Sequence, residues 1–326
     1  MNLEIRHANL SLEYPDIARI ISSVNPGWPV TAETLHEDDE RSDPNLHRLR
    51  FVAQLLEFGL EGSVKRIVGT GMVRHDIWAH DPSKYIVDLR IDPEFINRGI
   101  GSGLLQTFED HLLARGAKLL QVHIEQDKTR DLRFAMTRGF TEAWRRIESR
   151  LLPSETDFSK FTQLEDQLEM LGLQIQSYAE LEHDLTREQQ LYDLDWQVSQ
   201  DVPFGETPTQ PSLEQWRKEC VDNPKFDPHA CFIVTRDSGF IGFTYLMGHA
   251  GGFSYIGMTG VIRELRGKHL ATLLKLRCIQ YARDHGNSEI RTFNDGVNAA
   301  MLRMNANLGF KQQPATIRFE KRFDST

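Results

Sequence analysis

Two stretches of the chain share one pattern: INRGIGSGLLQTFEDHLLARGAKLLQVHIEQDKTRDLRFAMTRGF at residues 96–140 and RGKHLATLLKLRCIQYARDHGNSEIRTFNDGVNAAMLRMNANLGF at residues 266–310. They align without a gap at an offset of 266 − 96 = 170 residues. Gly116 then corresponds to Gly286, and Gly139 to Gly309. Few residues are identical, but the apolar positions and the glycines that end helices coincide. A period of this length indicates a duplicated domain rather than a solenoid of short repeats.

Each copy has the pattern of a strand, a loop, a helix, a strand, a helix and a closing strand. In the first copy, strand 85–91 and loop 92–99 precede apolar residues at helical spacing, which predict a helix from Ile100. The second copy has strand 254–262 and a helix from Leu270. Closing strands are predicted at 142–152 and 316–322. This order predicts an α/β fold with a mixed sheet, present as two tandem domains.

The domain ranges follow from the repeat. We expect a first domain at residues 1–155, a linker at 156–172 and a second domain at 173–326. The turn-rich segment PSETD (153–157) leads into the linker. After it, LQIQSYAEL (173–181) resembles the opening strand LEIRHANL (3–10). A chain of 326 residues agrees with two domains of roughly 100–200 residues each.

Composition excludes several classes of protein. A formal net charge of −9 argues against a general nucleic-acid binder, which normally carries a basic face. No apolar run approaches the roughly 20 residues of a membrane span, and the N-terminus lacks the pattern of a signal peptide. The three cysteines have neither disulfide-framework nor zinc spacing, and the histidines show no paired ligand spacing. We therefore expect a cytoplasmic protein without a membrane segment, a nucleic-acid partner or a metal.

The strand–loop–helix joint carries the chemistry. It reads NRGIGSG at 97–103 and RGKHLAT at 266–272. A loop of small residues that opens a helix offers unpaired backbone N–H groups and the positive end of the helix dipole, which together bind phosphate. Neither copy has the P-loop pattern GxxxxGK[ST] or the Rossmann pattern GxGxxG. The alternative that the glycines only form a tight turn stays open.

In the second copy this joint resembles the pyrophosphate-binding motif R/Q-x-x-G-x-G/A of the GNAT superfamily of N-acetyltransferases. The match is Arg266-x-x-His269-x-Ala271, with His in place of the first Gly. A short helix that ends in Leu-Gly-Phe, here at 308–310, is a further mark of the superfamily. The second copy also resembles the C-terminal half of tandem members of the mycothiol synthase kind.

The first copy matches the same motif at Gly99 and Gly101, with Ile96 where Arg or Gln is expected. Arg98-x-x-Gly101-x-Gly103 also fits, in a shifted register. The phase of the following helix favours the Gly99 and Gly101 register.

The resemblance implies that acetyl-CoA, or another acyl-CoA, lies in a V-shaped opening between two splayed parallel strands, with its pantetheine along the strand before the loop. Asn298 matches the asparagine that contacts CoA in the family, although Asn also favours helix N-caps. The predicted cofactor-binding positions are Leu89, Ile91, Arg98, Gly99, Ile100, Gly101, Ser102 and Gly103 in the first copy and Thr259, Val261, Arg266, Gly267, Lys268, His269, Leu270, Ala271, Thr272, Asn294 and Asn298 in the second.

The family's usual general acid is a tyrosine five residues before the Phe of Leu-Gly-Phe. This chain has Ala135 and Asn305 at that position, and neither can protonate a leaving thiolate. The candidate catalytic positions are Asp88 and Tyr255 as replacements for the tyrosine, and Asn305 as the residue at the tyrosine's own position in the second copy. Asp88 could accept a proton, or could simply belong to an ion pair, and Tyr255 could equally be a packing residue.

We expect an acyl-CoA-dependent N-acyltransferase that moves an acetyl group to a primary amine of a small molecule or peptide, with the second copy favoured as catalytic. Two alternatives stay open: a catalytically silent acyl-CoA-binding or regulatory protein, and a protein lysine or N-terminal acetyltransferase. The acceptor is unknown. The helical segments expected near it contain EDDE (37–40) in the first copy and Trp196, Asp201, Phe204, Glu206 and Trp216 in the second. Acidic groups there could attract a cationic amine or simply form a solvated face. The oligomeric state is left open, with a monomer of two paired copies as one option.

Overall fold

The computed structural model describes residues 2–59, 62–203 and 205–323, so Phe204 lies outside the described residues. The chain divides into two compact units, each built from discontinuous segments. The first unit runs up to residue 124 and adds residues 128–143 and the segment from 317 onward. The second unit consists of residues 125–127 and 144–316.

The first unit is a sheet with helices. Its strands are β1 (Asn2–His7), β2 (Arg48–Gly59), β3 (Gly62–Arg74), β4 (Lys84–Ile91) and β5 (Leu119–Glu125). Its helices are α1 (Leu10–Val24), α2 (Ala32–Arg41), α3 (Ile100–Leu113) and α4 (Thr129–Met136). Neighbouring strands are antiparallel from β1 to β4, and β4 pairs with β5 in parallel. The sheet is therefore mixed, as the sequence predicts.

Helix α3 forms the centre of the first core. Its apolar stripe of Ile100, Leu104, Phe108 and Leu112 is at most 1% exposed, because these positions share one helix face. A Cβ at Gly71 of β3 would lie 2.5 Å from the Phe108 ring, so only glycine lets the helix approach the sheet this closely.

The second unit repeats this plan. Its strands are β6 (Thr141–Leu151), β7 (Gln174–Ser177), β8 (Phe226–Arg236), β9 (Gly239–Gly248), β10 (Ser254–Val261), β11 (Ile290–Asp295) and β12 (Lys311–Gln312). Its helices are α5 (Thr162–Met170), α6 (Arg187–Ser199), α7 (Leu213–Glu219), α8 (Leu270–Asp284) and α9 (Ala299–Leu308). The strand order is β6-β11-β10-β9-β8-β7, with β10 and β11 parallel. Helix α8 packs against β8, β9 and β10.

The closing strands differ from the prediction that each completes its own copy. Strand β6 follows the first copy but pairs antiparallel with β11 of the second unit, where Leu151 is buried in the core. The last strand, β13 (Thr316–Arg322), lies beside β5, and Ile317 and Phe319 are buried in the first core. Each closing strand thus completes the unit of the other copy, as in domain swapping.

The predicted domain ranges 1–155 and 173–326 are contiguous in sequence and stay a prediction about the extent of each repeat. The compact units are discontinuous, because each contains the closing strand of the other copy. The segment 156–172, predicted as a linker, contains α5 and buries Leu168 in the second core. Helix starts at Ile100 and Leu270 and the strand 316–322 are confirmed. Among the residues that the structure describes, no helix is both long and apolar enough to span a bilayer.

Candidate functional site

The two strand–loop–helix joints share one backbone conformation. Asn97 and Gly99 have φ of 61° and 81°, and the positions 170 residues later, Gly267 and His269, have φ of 77° and 57°. Glycine adopts this left-handed region readily, whereas a histidine there is strained. Each helix begins at the next residue, so the structure favours the register that aligns Gly99 with His269.

Both helix N-termini present backbone donors. The first bond within α3 runs from Gly103 N–H to Gly99 O (3.0 Å), and that within α8 from Leu273 N–H to His269 O (3.0 Å). The amides of 100–102 and 270–272 therefore precede the helical hydrogen bonds, at the positive end of each helix dipole. Ile100 and Leu270 are buried, so their side chains belong to the core and only their amides face the joint.

The backbone at the first joint is open beside Gly99 and Gly101. No atom lies within 4 Å of where a Cβ at Gly99 would be, and a Cβ at Gly101 would be 3.6 Å from the Phe134 ring. An anion could therefore approach the amides closely. Gly103 has a different role, because its amide is already used by α3 and a Cβ there would lie 2.8 Å from Ile5.

The cations beside the first joint differ from the prediction. Arg98 folds back, donates to Glu94 O (3.2 Å) and lies over the Phe95 ring. Arg138, which the sequence reasoning missed, donates to Ser102 Oγ (2.6 Å) at the start of α3. Arg138 follows α4 in sequence, so only the fold brings it to this helix end. Arg138 thus contacts Ser102, one of the predicted cofactor-binding residues of the first joint.

At the second joint, Arg266 donates to Val261 O (3.1 Å) and forms an ion pair with Asp201. Asp201 also pairs with Arg263, and the hydrogen bonds from Arg263 and Arg266 hold the pKa of Asp201 well below its usual range. Arg266 therefore braces the loop against the end of β10, and Asp201 is neutralised rather than directed at a cationic amine. Lys268 is exposed at the loop.

In both units the parallel strands separate after a short pairing. Strands β4 and β5 pair only from Lys84 to Ile86 in the described register, and β10 and β11 only at Ser254 and Tyr255. Beyond these pairs, Leu89–Ile91 of β4 and Thr259–Val261 of β10 are not paired with β5 and β11 in the described registers, which leaves a gap in the ladder between the parallel strands. Such a separation agrees with the V-shaped opening that the resemblance implies, and its use by acyl-CoA stays a prediction.

The opening in the second unit has a built-in irregularity. The register of β10 against β9 shifts between Ile256 and Thr259, which marks a β-bulge. Thr244, fully buried on β9, donates to Met258 O (3.0 Å), and its hydroxyl also lies 2.8 Å from that of Thr259. The bulge is therefore a fixed feature of the strand that borders the gap.

The predicted catalytic positions fall in different surroundings. Burial disfavours the charge on Asp88, but the nearby Arg90 and Arg74 outweigh it and lower its pKa, which makes the carboxylate a weaker base. Arg90 Nη2 lies 3.2 Å from Asp88. Tyr255 lies in the last residue pair before the strands separate. These two residues keep the status of predictions.

Asn305 is 1% exposed and belongs to a chain of polar contacts in the second unit. Lys275 Nζ donates to Asn305 Oδ1 (2.7 Å), and Asn305 Nδ2 donates to Asn294 Oδ1 (2.6 Å). Sequence analysis did not single out Lys275, because one lysine within a helical pattern gives by itself no sign that it is buried. A signal was present, since the equivalent residue of the first copy is Leu105, a core position (275 − 170 = 105).

Asn298 is the N-cap of α9, where its Oδ1 accepts from Met301 N–H (3.2 Å). The cap uses only the oxygen of the carboxamide, so a contact between its Nδ2 and a ligand stays a prediction.

The acceptor-side carboxylates are mostly paired. Although burial opposes its ionisation, Arg50 and Arg48 hold the pKa of Asp39 below its usual range. Trp216 is 2% exposed, and its Nε1 donates to Asp195 Oδ2 (2.7 Å). Burial raises the pKa of Asp195 to about 6. Asp39 of the EDDE segment and Trp216 are thus engaged with partners inside the protein.

Comparisons with known proteins agree with this geometry. The profile of the acetyltransferase (GNAT) family matches residues 16–140 and 188–310. A mycothiol acetyltransferase of Thermobispora bispora is 24% identical over 250 residues, which cover 72% of this chain and 75% of that protein. A mycothiol acetyltransferase of Thermomonospora curvata is 28% identical over 119 residues, so that match spans only 36% of this chain and 40% of that protein.

Among solved structures, a tandem GNAT protein from the clavulanic acid biosynthesis pathway superposes with a TM-score of 0.75 and covers all of both chains at 16% identity. At this identity the likeness shows the fold alone.

Proposed function

Since the chain belongs to the GNAT family of acetyltransferases, and is therefore an acyl-CoA-dependent N-acetyltransferase, we propose that it moves the acetyl group of acetyl-CoA to a primary amine of a small molecule or peptide. We further propose that the second unit carries out the transfer. Its setting is the cytoplasm, in keeping with three buried, unpaired cysteines.

One observation carries the use of acyl-CoA: in each unit the long helix follows, after a short loop, a strand that stops pairing with its parallel neighbour. The amides of 270–272 and exposed Lys268 suit a diphosphate. The free edge at Thr259–Val261 suits an extended, amide-containing chain such as pantetheine. Asn294 supplies a half-buried polar group on β11, the parallel neighbour of β10.

When bound, acetyl-CoA supplies a thioester carbonyl that an amine can attack. The residues of the chain then contribute mainly position, because holding two reactants together removes much of the entropic barrier. A backbone N–H of β10 near the bulge can donate to the carbonyl oxygen as it gains charge.

A second candidate function is a silent acyl-CoA-binding protein. The observation in its favour is the absence of a hydroxyl acid at the family's tyrosine position, where Ala135 and Asn305 are both buried. Acetylation of any amine by the purified protein separates the two functions.

The test is calorimetric titration with acetyl-CoA, followed by an amine panel read by release of the free thiol. Gly101→Glu and Ala271→Glu each place a carboxylate at a predicted phosphate position and should weaken binding at that joint at least about tenfold, because like charges repel. Gln106→Glu and Gln280→Glu add the same charge at exposed positions farther along α3 and α8, and serve as matched controls.

We expect Ala271→Glu to abolish turnover and Gly101→Glu to spare it. The reverse result would assign catalysis to the first unit. Absence of binding by the wild-type protein would overturn the use of acetyl-CoA.

A further inference from the structure

Lys275 is a lysine in the core of the second unit. It is 0% exposed, its Nζ donates to Asn305 Oδ1 (2.7 Å), and it lies 3.4 Å from Thr292 Oγ1 and 5.6 Å from the centre of the Phe310 ring. Burial lowers its pKa to about 7. Such a position is costly for an ammonium group, which rarely lies in a core without a charged partner.

The groups that face Lys275 from each packed element are neutral or weakly acidic. Thr292 belongs to β11, Asn305 to α9, and Phe310 follows α9. Cys278, one turn along α8, is the titratable group that acts on its pKa, and burial keeps that thiol protonated. The pH response of Lys275 therefore follows its own burial.

The direction of the hydrogen-bond chain is determined by chemistry. A lysine ammonium can only donate, so the atom of Asn305 that faces it is the oxygen. The amide nitrogen of Asn305 then donates to Asn294 Oδ1 (2.6 Å). The oxygen of Asn294 thus accepts from Asn305, and the amide nitrogen of Asn294 is the donor that it can offer to another group. Asn294 is half-buried on β11, beyond the last residue paired with β10.

The first unit lacks this chain altogether. At the 170-residue offset, Lys275, Asn294 and Asn305 correspond to Leu105, Ile124 and Ala135. All three apolar residues belong to the first core or pack against it. The fold therefore forms with apolar residues at these three positions. The polar residues of the second unit are not required for folding and need another explanation.

We propose that Lys275 is a positioning residue for acetyl transfer: through Asn305 it orients Asn294 so that an Asn294 N–H group faces the thioester sulfur in the gap between β10 and β11. This inference rests on the proposed function of the second unit. It supplies a hydrogen-bond donor in place of the tyrosine hydroxyl.

The reaction then balances without an acid in the chain. The amine nitrogen bonds to the acyl carbon, the carbon–sulfur bond breaks, and the sulfur keeps the electron pair. The amine loses one proton to solvent, and the thiolate is free to take one from solvent. Asn294 donates to the sulfur as its negative charge grows, and the charge on Lys275 polarises both carboxamides along the chain.

The kinetic test compares Lys275→Met, which removes the donor, with Lys275→Gln, which keeps a donor but no charge. We expect kcat to fall about 10- to 100-fold in Lys275→Met while KM for acetyl-CoA changes less than about twofold, as for loss of a transition-state interaction. Lys275→Gln should retain an intermediate rate. The ratio of wild-type kcat to that of Lys275→Met should fall as the pH rises through about 7.

Two further variants guard against a folding artefact. The triple change Lys275→Leu, Asn294→Ile and Asn305→Ala installs the set that already packs in the first unit, and we expect it to fold and bind acetyl-CoA with the low kcat. Leu276→Met, at a neighbouring buried position, should keep wild-type kinetics.

A readout independent of turnover is the side-chain ¹⁵N signals of Asn305 and Asn294. Both should titrate with a midpoint near 7 in the wild-type protein and stay constant in Lys275→Met. Unchanged kcat in Lys275→Met, or asparagine signals that do not follow Lys275, would overturn the positioning role while leaving the proposed function intact. A wild-type protein without transferase activity would overturn both.

Discussion

Replacing Lys275 by methionine should stabilise the fold at neutral pH. The pKa of Lys275 falls from 10.5 in the unfolded chain to about 7 in the folded protein. Each pKa unit corresponds to about 1.4 kcal/mol, so the buried ammonium costs up to about 5 kcal/mol. Removing Nζ leaves Asn305 Oδ1 buried without its donor, which costs about 1–3 kcal/mol. We therefore expect the free energy of unfolding to rise by about 2–4 kcal/mol at pH 7.

The sign of the pH dependence follows from proton binding. Between pH 7 and 10.5 the unfolded chain holds a proton on Lys275 that the folded protein releases, so this group makes stability rise with pH over that range. The burial cost is absent above 10.5 and reaches its full value below 7. The advantage of Lys275→Met should thus shrink with rising pH and become a loss of about 1–3 kcal/mol near pH 10.5.

The assay is urea unfolding of the wild-type protein and Lys275→Met at intervals from pH 6 to 10. The difference between the two cancels groups that titrate equally in both. Leu274→Met, on the same helix and fully buried, is the control, and its difference from wild type should not vary with pH. A Lys275→Met protein that is less stable at every pH, by a constant amount, would refute the reasoning.

Two other predictions concern single sites. Burial, with the charges of Arg115 and His111, lowers the pKa of His47 to about 4. The unfolded chain therefore takes up a proton before the folded protein does, and the first unit should lose stability as the pH falls from 6.5 to about 4. His47→Gln should reduce this dependence of the thermal unfolding temperature on pH, and an unchanged dependence would contradict the assignment. A Cβ at Gly260 would lie 2.4 Å from Val198 Cγ2, so Gly260→Ala should lower the free energy of unfolding by about 1–3 kcal/mol. Adding Val198→Ala should restore part of this loss, because it removes the clashing methyl groups. Strictly additive losses of stability in the double variant would argue against this contact.

If the unfolding test and the kinetic test of Lys275→Met both succeed, Lys275 lowers the stability of the fold and raises the rate of transfer. A substitution that strengthens the fold and slows the transfer would identify a residue that serves the reaction at the expense of stability.

The amino-acid sequence by itself determined the repeat, the start of both long helices and the joint that precedes them. These features depend on local periodicity and on residues with special backbone preferences, such as Gly99 and Gly267. Both signals can be recognised from a few neighbouring residues in the sequence. The separation of the parallel strands came from the resemblance, and the pairing of β4 with β5 agrees with it.

Tertiary structure alone decided which residues meet. Arg266 pairs with Asp201, 65 residues earlier, and so braces the loop where the sequence predicted a phosphate contact. The closing strands β6 and β13 each follow one copy in sequence, but the tertiary structure places each of them in the other unit. Lys275, Asn294 and Asn305 come from three elements, and their chain exists only once those elements pack and exclude water. Periodicity reports which face of an element is buried, but a polar residue on that face acquires its partners from elements distant in sequence.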